Sequence, residues 1–166
     1  LAAPLAVGTI RLDVPKLAEL ETSVKSPTYS IGNLSWSLAV NKVCLEDDKN
    51  LAVAIYCNEE NKSPYWRCEA VVTFHLLAQK SGQQTYSQTL VNRKFDVKKC
   101  NRGFSPFMKW EDVLKLDEGF IRESDGGVAI EAVVTVTKVV GESAKKEFCD
   151  LTDKTKAALG DRILEL

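Results

Sequence analysis

Residues 128–136 read VAIEAVVTV, and every second residue of this stretch is apolar. In an extended chain, Val128, Ile130, Ala132, Val134 and Val136 all point to the same side. A strict two-residue period of this kind predicts a β-strand in an antiparallel sheet with one face buried. The β-branched valines and isoleucine suit such a pleated surface. The stretch therefore predicts a strand and sets the pattern against which the rest of the chain can be read.

The same alternation recurs upstream, in segments of strand length separated by turn-rich sequence. Strands are predicted at 10–14, 34–40, 51–57 and 68–76, with weaker candidates at 86–90 and 94–97. Turn residues gather at 46–50, 58–64, 81–84 and 125–127, at intervals typical of a β-sandwich. The one short helix expected among the strands spans 109–115. The predicted fold class is therefore all-β, an antiparallel sandwich.

The period changes to three and four residues from about Ala144, which predicts an amphipathic C-terminal helix. Its apolar positions are Phe148, Leu151, Ala158, Leu159, Ile163 and Leu166. One interpretation is that the helix packs on the sandwich or frays; the other is that it dimerises or leads into a further domain. We favour the first, because the repeat is too brief for a coiled coil. The predicted division is a tail at 1–8, a β-domain at 9–140 and a helical extension at 141–166.

Charge and composition narrow the classes of partner. The 166 residues suffice for one domain with its own core. Lys and Arg number 22 against 23 acidic residues, for a net charge of -1, and along the sequence the two signs are evenly mixed. Neither a nucleic acid nor an anionic membrane surface is therefore expected as a partner. No apolar run approaches the length needed to cross a bilayer.

The five cysteines are odd in number and never two residues apart, so they predict neither a zinc site nor a disulfide framework. Cys57 and Cys68 fall inside apolar strand patterns, which indicates reduced, buried thiols in the nucleus or cytoplasm. The apolar start at 1–8 has no positive region before it and is not expected to be a signal peptide. The missing initiator methionine suggests a piece of a larger protein.

Catalytic chemistry finds little support in the sequence. His75 is the only histidine, which excludes any site that needs two imidazoles, and its place in a strand predicts a half-exposed sheet residue. The nucleophile elbow, the phosphate-binding glycine loop and the dinucleotide fingerprint are absent. We predict no catalytic residue, metal or cofactor. Of the three tryptophans, Trp36 is assigned to the core, whereas Trp66 and Trp110 remain open between core and interface.

Several short motifs occur in the order of a known family. They are SPTY at 26–29, NLSWSL at 33–38, YCNE at 56–59, WRCEA at 66–70, GFSPFMKW at 103–110 and EGFI at 118–121. Together they resemble the MATH (meprin and TRAF homology) domains over residues 8–139. These motifs are most similar to those of the N-terminal MATH domain of a ubiquitin-specific protease, a deubiquitinase. The BTB-containing substrate adaptors of cullin ubiquitin ligases share the fold and some of the motifs but resemble this chain less at residues 66–70.

The resemblance implies an eight-stranded antiparallel sandwich with a shallow groove at one sheet edge, where a short extended peptide is held partly by main-chain pairing. It also implies which residues line that groove. The family's Asp-Trp-Gly-Phe run matches Asn101, Arg102, Gly103 and Phe104, and a peptide-binding arginine falls on Gly32. The family's aspartate, tryptophan and arginine are thus replaced here by Asn101, Arg102 and Gly32. Affinity for the family's serine-containing ligands is expected to fall, by about 1–3 kcal/mol for each lost contact.

The retained Gly103 and Phe104 are expected to be structural, the glycine for a special backbone angle and the phenylalanine for the core. Two interpretations of Arg102 remain open. It favours a ligand with an acidic or phosphorylated residue, or it is a solvated loop residue and partners bind elsewhere.

The function predicted from these features is a protein–protein interaction module that recruits substrates or partners, within a ubiquitin-pathway protein. The module itself is not expected to be an enzyme, although its parent could be a cysteine deubiquitinase. The alternative is a structural domain that assembles or self-associates a complex through the sandwich surface and the helix at 141–166.

Overall fold

The structure is a computed structural model that describes residues 4–141, and strands account for most of these residues. The strands are β1 (Ala6–Val14), β2 (Ser23–Lys25), β3 (Tyr29–Ile31), β4 (Leu34–Leu45), β5 (Asp48–Cys57), β6 (Arg67–Leu76), β7 (Tyr86–Asp96), β8 (Asn101–Lys109) and β9 (Val128–Val140). A short helix, α1 (Trp110–Leu114), follows β8 and confirms the helix predicted at 109–115. Turns of 3-10 helix occur at Leu17–Glu19 and Leu116–Glu118. Within residues 4–141, no helix is long and apolar enough to cross a membrane.

Two antiparallel sheets pack face to face. One has the order β1-β9-β6-β7, and the other has the order β2-β4-β5-β8 with β3 also paired to β4. β2 pairs with β4 at residues 39–41 and β3 pairs with it at 34–36, so the two short strands share one edge position. The sandwich therefore has eight strand positions, which confirms the predicted architecture.

β9 lies inside the first sheet, where it pairs with β1 on one side and β6 on the other. The five alternating apolar residues that predicted it, at 128, 130, 132, 134 and 136, are all fully buried. Their side chains face the second sheet, and the strand's backbone groups are satisfied by its two neighbours. Burial of one face and pairing on both edges explain why this segment carries the clearest pattern in the sequence.

Aromatic side chains fill the space between the sheets. The Trp36 indole is fully buried, donates from Nε1 to the Ile31 carbonyl at 3.0 Å, and meets the Phe95 ring edge to face at 5.3 Å. Its assignment to the core is confirmed. Trp66 and Trp110 are also buried, at 2% and 6% exposure, and Trp66 Nε1 donates to the Asn61 carbonyl. Both therefore belong to the core.

Two strands depart from the boundaries expected from sequence. β1 begins at Ala6, inside the segment predicted as a tail at 1–8, because residues 6–8 already pair with Val134–Val136 of β9. β7 is one strand across both weaker candidates, 86–90 and 94–97. A register shift opposite 70–72 and the left-handed Asn92 (φ 49°) interrupt its alternation. The helical extension predicted at 141–166 lies outside the described residues, Gly141 excepted.

Cys57 and Cys68 face each other across the two sheets. Both thiols are buried and unbridged, with 3.7 Å between the sulfurs, as expected from their strand patterns. The hydrogen bond with Cys68 and burial raise the pKa of the Cys57 thiol. Raising a thiol's pKa removes the reactive thiolate, so this pair serves as packing in the core.

Arg122 ties the end of β1 to the loop that precedes β9. Its guanidinium donates to the Asp13 carboxylate and, through Nε and Nη2, to Asp125 at 3.1 and 3.0 Å. Hydrogen bonds from Arg11 and Arg122 lower the pKa of Asp13, and hydrogen bonds from Arg122 and the Gly127 amide lower the pKa of Asp125. Both carboxylates are therefore stabilised in their charged form.

Replacing Arg122 by glutamine is expected to flatten the acid side of the stability curve. Both folded pKa values lie below the usual 3.8, so the stabilisation is complete above about pH 5 and is lost as the pH falls below 3.8 through the folded values. The variant keeps the Arg11 hydrogen bond to Asp13 but loses the contribution of Arg122 to both carboxylates, so it has less stability to lose on acidification. Urea unfolding at neutral and acid pH, with NMR titration of the carboxyls, measures the effect. Equal losses in the two proteins would contradict it.

Candidate peptide-binding edge

Four of the five predicted groove residues are consecutive on β8, the outermost strand of the five-stranded sheet. On its inner side β8 pairs with β5, with Asn101 opposite Tyr56, Arg102 opposite Ile55, Gly103 opposite Ala54 and Phe104 opposite Val53. On its outer side no strand among residues 4–141 pairs with it. The resemblance and the fold thus bring these four residues to a sheet edge.

β7 is the edge of the other sheet, and the turn at 97–100 joins it to β8, so the two edges border one open side of the sandwich. Two side chains bridge this side. Arg102 Nε donates to the Lys94 carbonyl of β7 at 2.6 Å, and Gln88 Nε2 donates to the Phe107 carbonyl of β8 at 2.9 Å. In each case a side chain of one edge strand donates to a main-chain carbonyl of the other edge strand.

These bridges define how much of β8 is open to pairing. Pro106 has no amide hydrogen, and the Phe107 carbonyl is occupied by Gln88. The pairing with β5 also shifts here, because Leu51 and Val53 are opposite Met108 and Phe104. The open part of the edge is therefore Asn101–Ser105, which we call the β8 edge.

Arg102 lies in a strand and not in a loop, so the interpretation as a solvated loop residue is wrong. Its side chain is half-buried, and the guanidinium carbon lies 6.0 Å from the centroid of the Phe95 ring. With Nε bonded to the Lys94 carbonyl, its two Nη nitrogens have no hydrogen-bond partner among residues 4–141. The bond from Nε thus fixes the orientation of Arg102 and leaves its two Nη nitrogens free to donate.

Gly103 is required by a close approach of two strands. A Cβ at this position would lie 1.9 Å from the Val53 carbonyl oxygen and 2.7 Å from the Ala54 Cα. Its φ is not in the left-handed region. The expected role in a special backbone angle is therefore wrong, because the constraint is the missing side chain.

Phe104 packs towards the core, as expected. Its ring meets Phe74 edge to face at 5.9 Å and lies 6.3 Å from Phe107. Asn101, Gly103 and Ser105 alternate with Arg102 and Phe104 and are exposed on the outer face. The β8 edge therefore offers one face to solvent and one to the gap between the sheets.

Gly32 lies elsewhere. It forms the tight β3–β4 turn with Asn33, and both residues have left-handed φ, 62° and 61°. A Cβ on Gly32 would lie 3.3 Å from the Ala6 Cβ and 3.5 Å from Val136 Cγ2, on the side of β1 and β9. Strands β4 and β5 separate it from β8. The structure does not bring Gly32 together with the other four residues.

Sequence reasoning did not find Gln88, Lys94 and Ser105 as parts of this edge. Gln88 and Lys94 contribute through contacts between strands of different sheets, for which a single sequence carries no periodic signal. Ser105 lies within the quoted GFSPFMKW motif, and the proline that follows it was the available signal, since proline is confined to edge strands and bulges within sheets.

Comparison with known proteins gives one family. The family model of the MATH domain matches residues 12–134. BTB and MATH domain-containing protein 38 of Caenorhabditis elegans is 36% identical over 157 residues, which are 87% of this chain and 39% of that protein. BTB and MATH domain-containing protein 36 of the same species is 26% identical over 163 residues, 96% of this chain and 50% of that protein.

Ubiquitin carboxyl-terminal hydrolase 7 of Drosophila melanogaster is 23% identical over 138 residues, 83% of this chain and 12% of that protein. Identity is thus higher with the two BTB and MATH proteins than with the hydrolase. The chain spans half or less of the length of each of these relatives.

Proposed function

The chain belongs to the MATH domain family, and we propose that it binds a protein partner by adding an extended peptide of that partner to the β8 edge. MATH domains are protein–protein interaction modules, so the role of this domain is binding. The observation that carries the proposal is the outer side of β8, which no strand among residues 4–141 covers. Unpaired donors and acceptors on a sheet edge are a template for a further strand.

The surface beside this edge suits an added strand. Gly103 lies in register with Ala54 of β5, and Ala54 lies in register with Ala39 of β4. Because these positions carry no side chain or only a methyl group, little protrudes from the outer face of the sheet next to the edge. Side chains of an added peptide then have room to lie on the sheet, where alternate positions provide specificity.

The length of the edge limits the ligand. Only Asn101–Ser105 are open, because Pro106 lacks a donor and the Phe107 carbonyl is occupied. The paired part of the ligand is therefore a short segment of about four or five residues, with side-chain contacts accounting for the rest of its affinity.

The relatives support a place for the domain in a ubiquitin-pathway protein. They are named as BTB and MATH domain-containing proteins and as a ubiquitin carboxyl-terminal hydrolase. In such a protein the domain would select the partner on which another domain acts, whether the parent is a deubiquitinase or an adaptor. We place it in the nucleus or cytoplasm, which the free, buried thiols of Cys57 and Cys68 support.

Selection of peptides followed by amide mapping tests the binding mode. A random peptide library displayed on phage is selected on the full 166-residue chain, and the selected peptides are titrated into the isotopically labelled protein. We expect the largest amide shift changes within 101–105. Peptides N-methylated at alternate backbone positions lose main-chain donors and are expected to bind at least about tenfold more weakly.

The same measurements can overturn the proposal. Shift changes centred on β1 or on the β2 and β3 edge would place the ligand elsewhere, and unchanged affinity of the N-methylated peptides would exclude main-chain pairing. A selection that yields no binding peptide would also contradict it.

A further inference from the structure

The hairpin turn between β7 and β8 collects positive charge. Residues 93–102 contain five cationic side chains and one acidic one, in a chain whose net charge is -1. The cations are Arg93, Lys94, Lys98, Lys99 and Arg102, and the acid is Asp96. We call residues 93–102 the basic hairpin. The expectation that the two signs are evenly mixed along the sequence is therefore wrong for this segment.

The five cations of the basic hairpin form no ion pair with any acid of residues 4–141, whereas Arg11, Lys25, Lys115, Arg122 and Lys138 each take part in one. The acid Asp96 is already engaged, because its Oδ1 accepts the backbone amides of Lys98 and Lys99 at 2.9 and 2.8 Å. All of the cations are exposed except Arg102, which is half-buried. Asp96 keeps its charge and Glu69 of β6 lies opposite Lys94, so five cations face two nearby acids and this surface has a positive excess.

Acidic residues gather at the opposite end of the sandwich. β5 reaches from the β4–β5 turn, where Asn50 pairs with Lys109, to the basic hairpin, where Tyr56 pairs with Asn101. The end near Asn50 carries Glu46, Asp47, Asp48, Glu111, Asp117 and Glu118. Lys49, Lys109 and Lys115 lie at that end as well and offset part of its negative charge, whereas the basic hairpin has an excess of cations and coincides with the β8 edge.

We propose that the basic hairpin makes the β8 edge selective for an acidic, aspartate- or glutamate-rich segment of a protein partner. This inference rests on the proposed function. In an added strand, every second side chain points to the same face. Carboxylates on the inner face would meet the two free Nη donors of Arg102, whose Nε is already fixed on the Lys94 carbonyl. Carboxylates further along would meet Lys94, Lys98 and Lys99.

Protein is favoured over nucleic acid as the source of negative charge. The only aromatic residue of the basic hairpin, Phe95, is fully buried, so the hairpin offers no platform for stacked bases. An open strand edge, in contrast, matches the backbone of a polypeptide. Charge complementarity and backbone pairing thus point to the same kind of ligand.

The composition of the selected peptides tests the inference. Peptides selected from the random phage library on the full chain are expected to contain aspartate and glutamate at least about twice as often as the unselected library. Replacing the acids of a selected peptide by their amides is expected to weaken binding about tenfold at low salt, and less at high salt, because screening weakens exposed charge pairs.

Two variants locate the effect. Lys98→Gln/Lys99→Gln changes only exposed side chains, and Lys94→Gln/Arg102→Gln removes the charges nearest to the edge. Each is expected to reduce the preference for the acidic peptide over its amide counterpart by at least about threefold. The control, Lys49→Gln/Lys80→Gln, removes the same charge from exposed residues at the other end and should leave the preference unchanged.

The outcomes separate this inference from the proposed function. Neutral peptides that shift the amides of 101–105 would overturn the acidic selectivity and leave the strand addition intact. Acidic peptides that bind the basic hairpin without those shifts would overturn the strand addition alone. An equal effect of the control variant, or a single-stranded oligonucleotide that binds the hairpin more tightly than the acidic peptides, would overturn the selectivity.

Discussion

Gly103→Ala is expected to destabilise the domain by about 3 kcal/mol, at the upper end for the addition of one methyl group to a packed site. The new Cβ would lie 1.9 Å from the Val53 carbonyl oxygen, 2.7 Å from the Ala54 Cα and 2.8 Å from the Val53 carbonyl carbon. All three are backbone atoms of β5, so no side-chain rotation relieves the clash. The β5–β8 pairing has to open at the centre of the β8 edge.

Urea unfolding measures this loss, with Gly141→Ala as the matched control. A Cβ on Gly141 would meet no atom of residues 4–141 within 4 Å, and its φ is not in the left-handed region, so that variant should stay within about 0.5 kcal/mol of the native protein. Similar midpoints for both glycine variants would show that the strands do not approach as closely as described.

Trp36→Ala is expected to cost about 4 kcal/mol. The indole is fully buried between the sheets, so its removal leaves a cavity and ends the edge-to-face contact with Phe95. It also leaves the Ile31 carbonyl without the Nε1–H donor, and an unsatisfied buried acceptor adds its own penalty. Packing and hydrogen bonding thus act in the same direction.

A graded series separates the two terms. Trp36→Phe keeps an aromatic ring but loses the hydrogen bond, so about half of the alanine loss is expected. Leu116→Ala, at a side chain 65% exposed, is the control and should change the free energy of unfolding by less than about 0.5 kcal/mol. If Trp36→Phe and Trp36→Ala lost the same stability, the hydrogen bond and not the packed volume would dominate at this position.

The strands that could be predicted are those with one face in the core and an uninterrupted two-residue period, including β1 at a sheet edge. β9 and β6 show this, since their alternating residues are buried along nearly the whole strand. β8 was not predicted as a strand. Pro106 and the register shift opposite Leu51 and Val53 break its period, and Phe107 is the only residue of β8 that is fully buried. Periodicity finds regular strands better than irregular ones.

The candidate site, too, was predicted from the sequence only in part. Family motifs led to Asn101–Phe104 on one strand, yet the reason for Gly103 was mistaken, because a glycine at ordinary φ gives no sign of a neighbour that approaches it closely. Likewise, the bond from Arg102 to the Lys94 carbonyl joins two sheets, so it depends on a tertiary contact that no local pattern encodes. The charge of the basic hairpin, in contrast, lies in ten consecutive residues and was missed because the two signs were balanced over the whole chain.

The bridges from Arg102 and Gln88 also limit edge-to-edge association between copies of the folded protein. Exposed sheet edges invite edge-to-edge polymerisation, which can end in fibrils. Here Arg102 occupies a carbonyl of β7, Gln88 occupies one of β8, and Pro106 interrupts the row of donors. Together with the mutual repulsion of like-charged hairpins from two copies, these features leave an opening long enough for a brief guest segment but too short for indefinite stacking of identical chains.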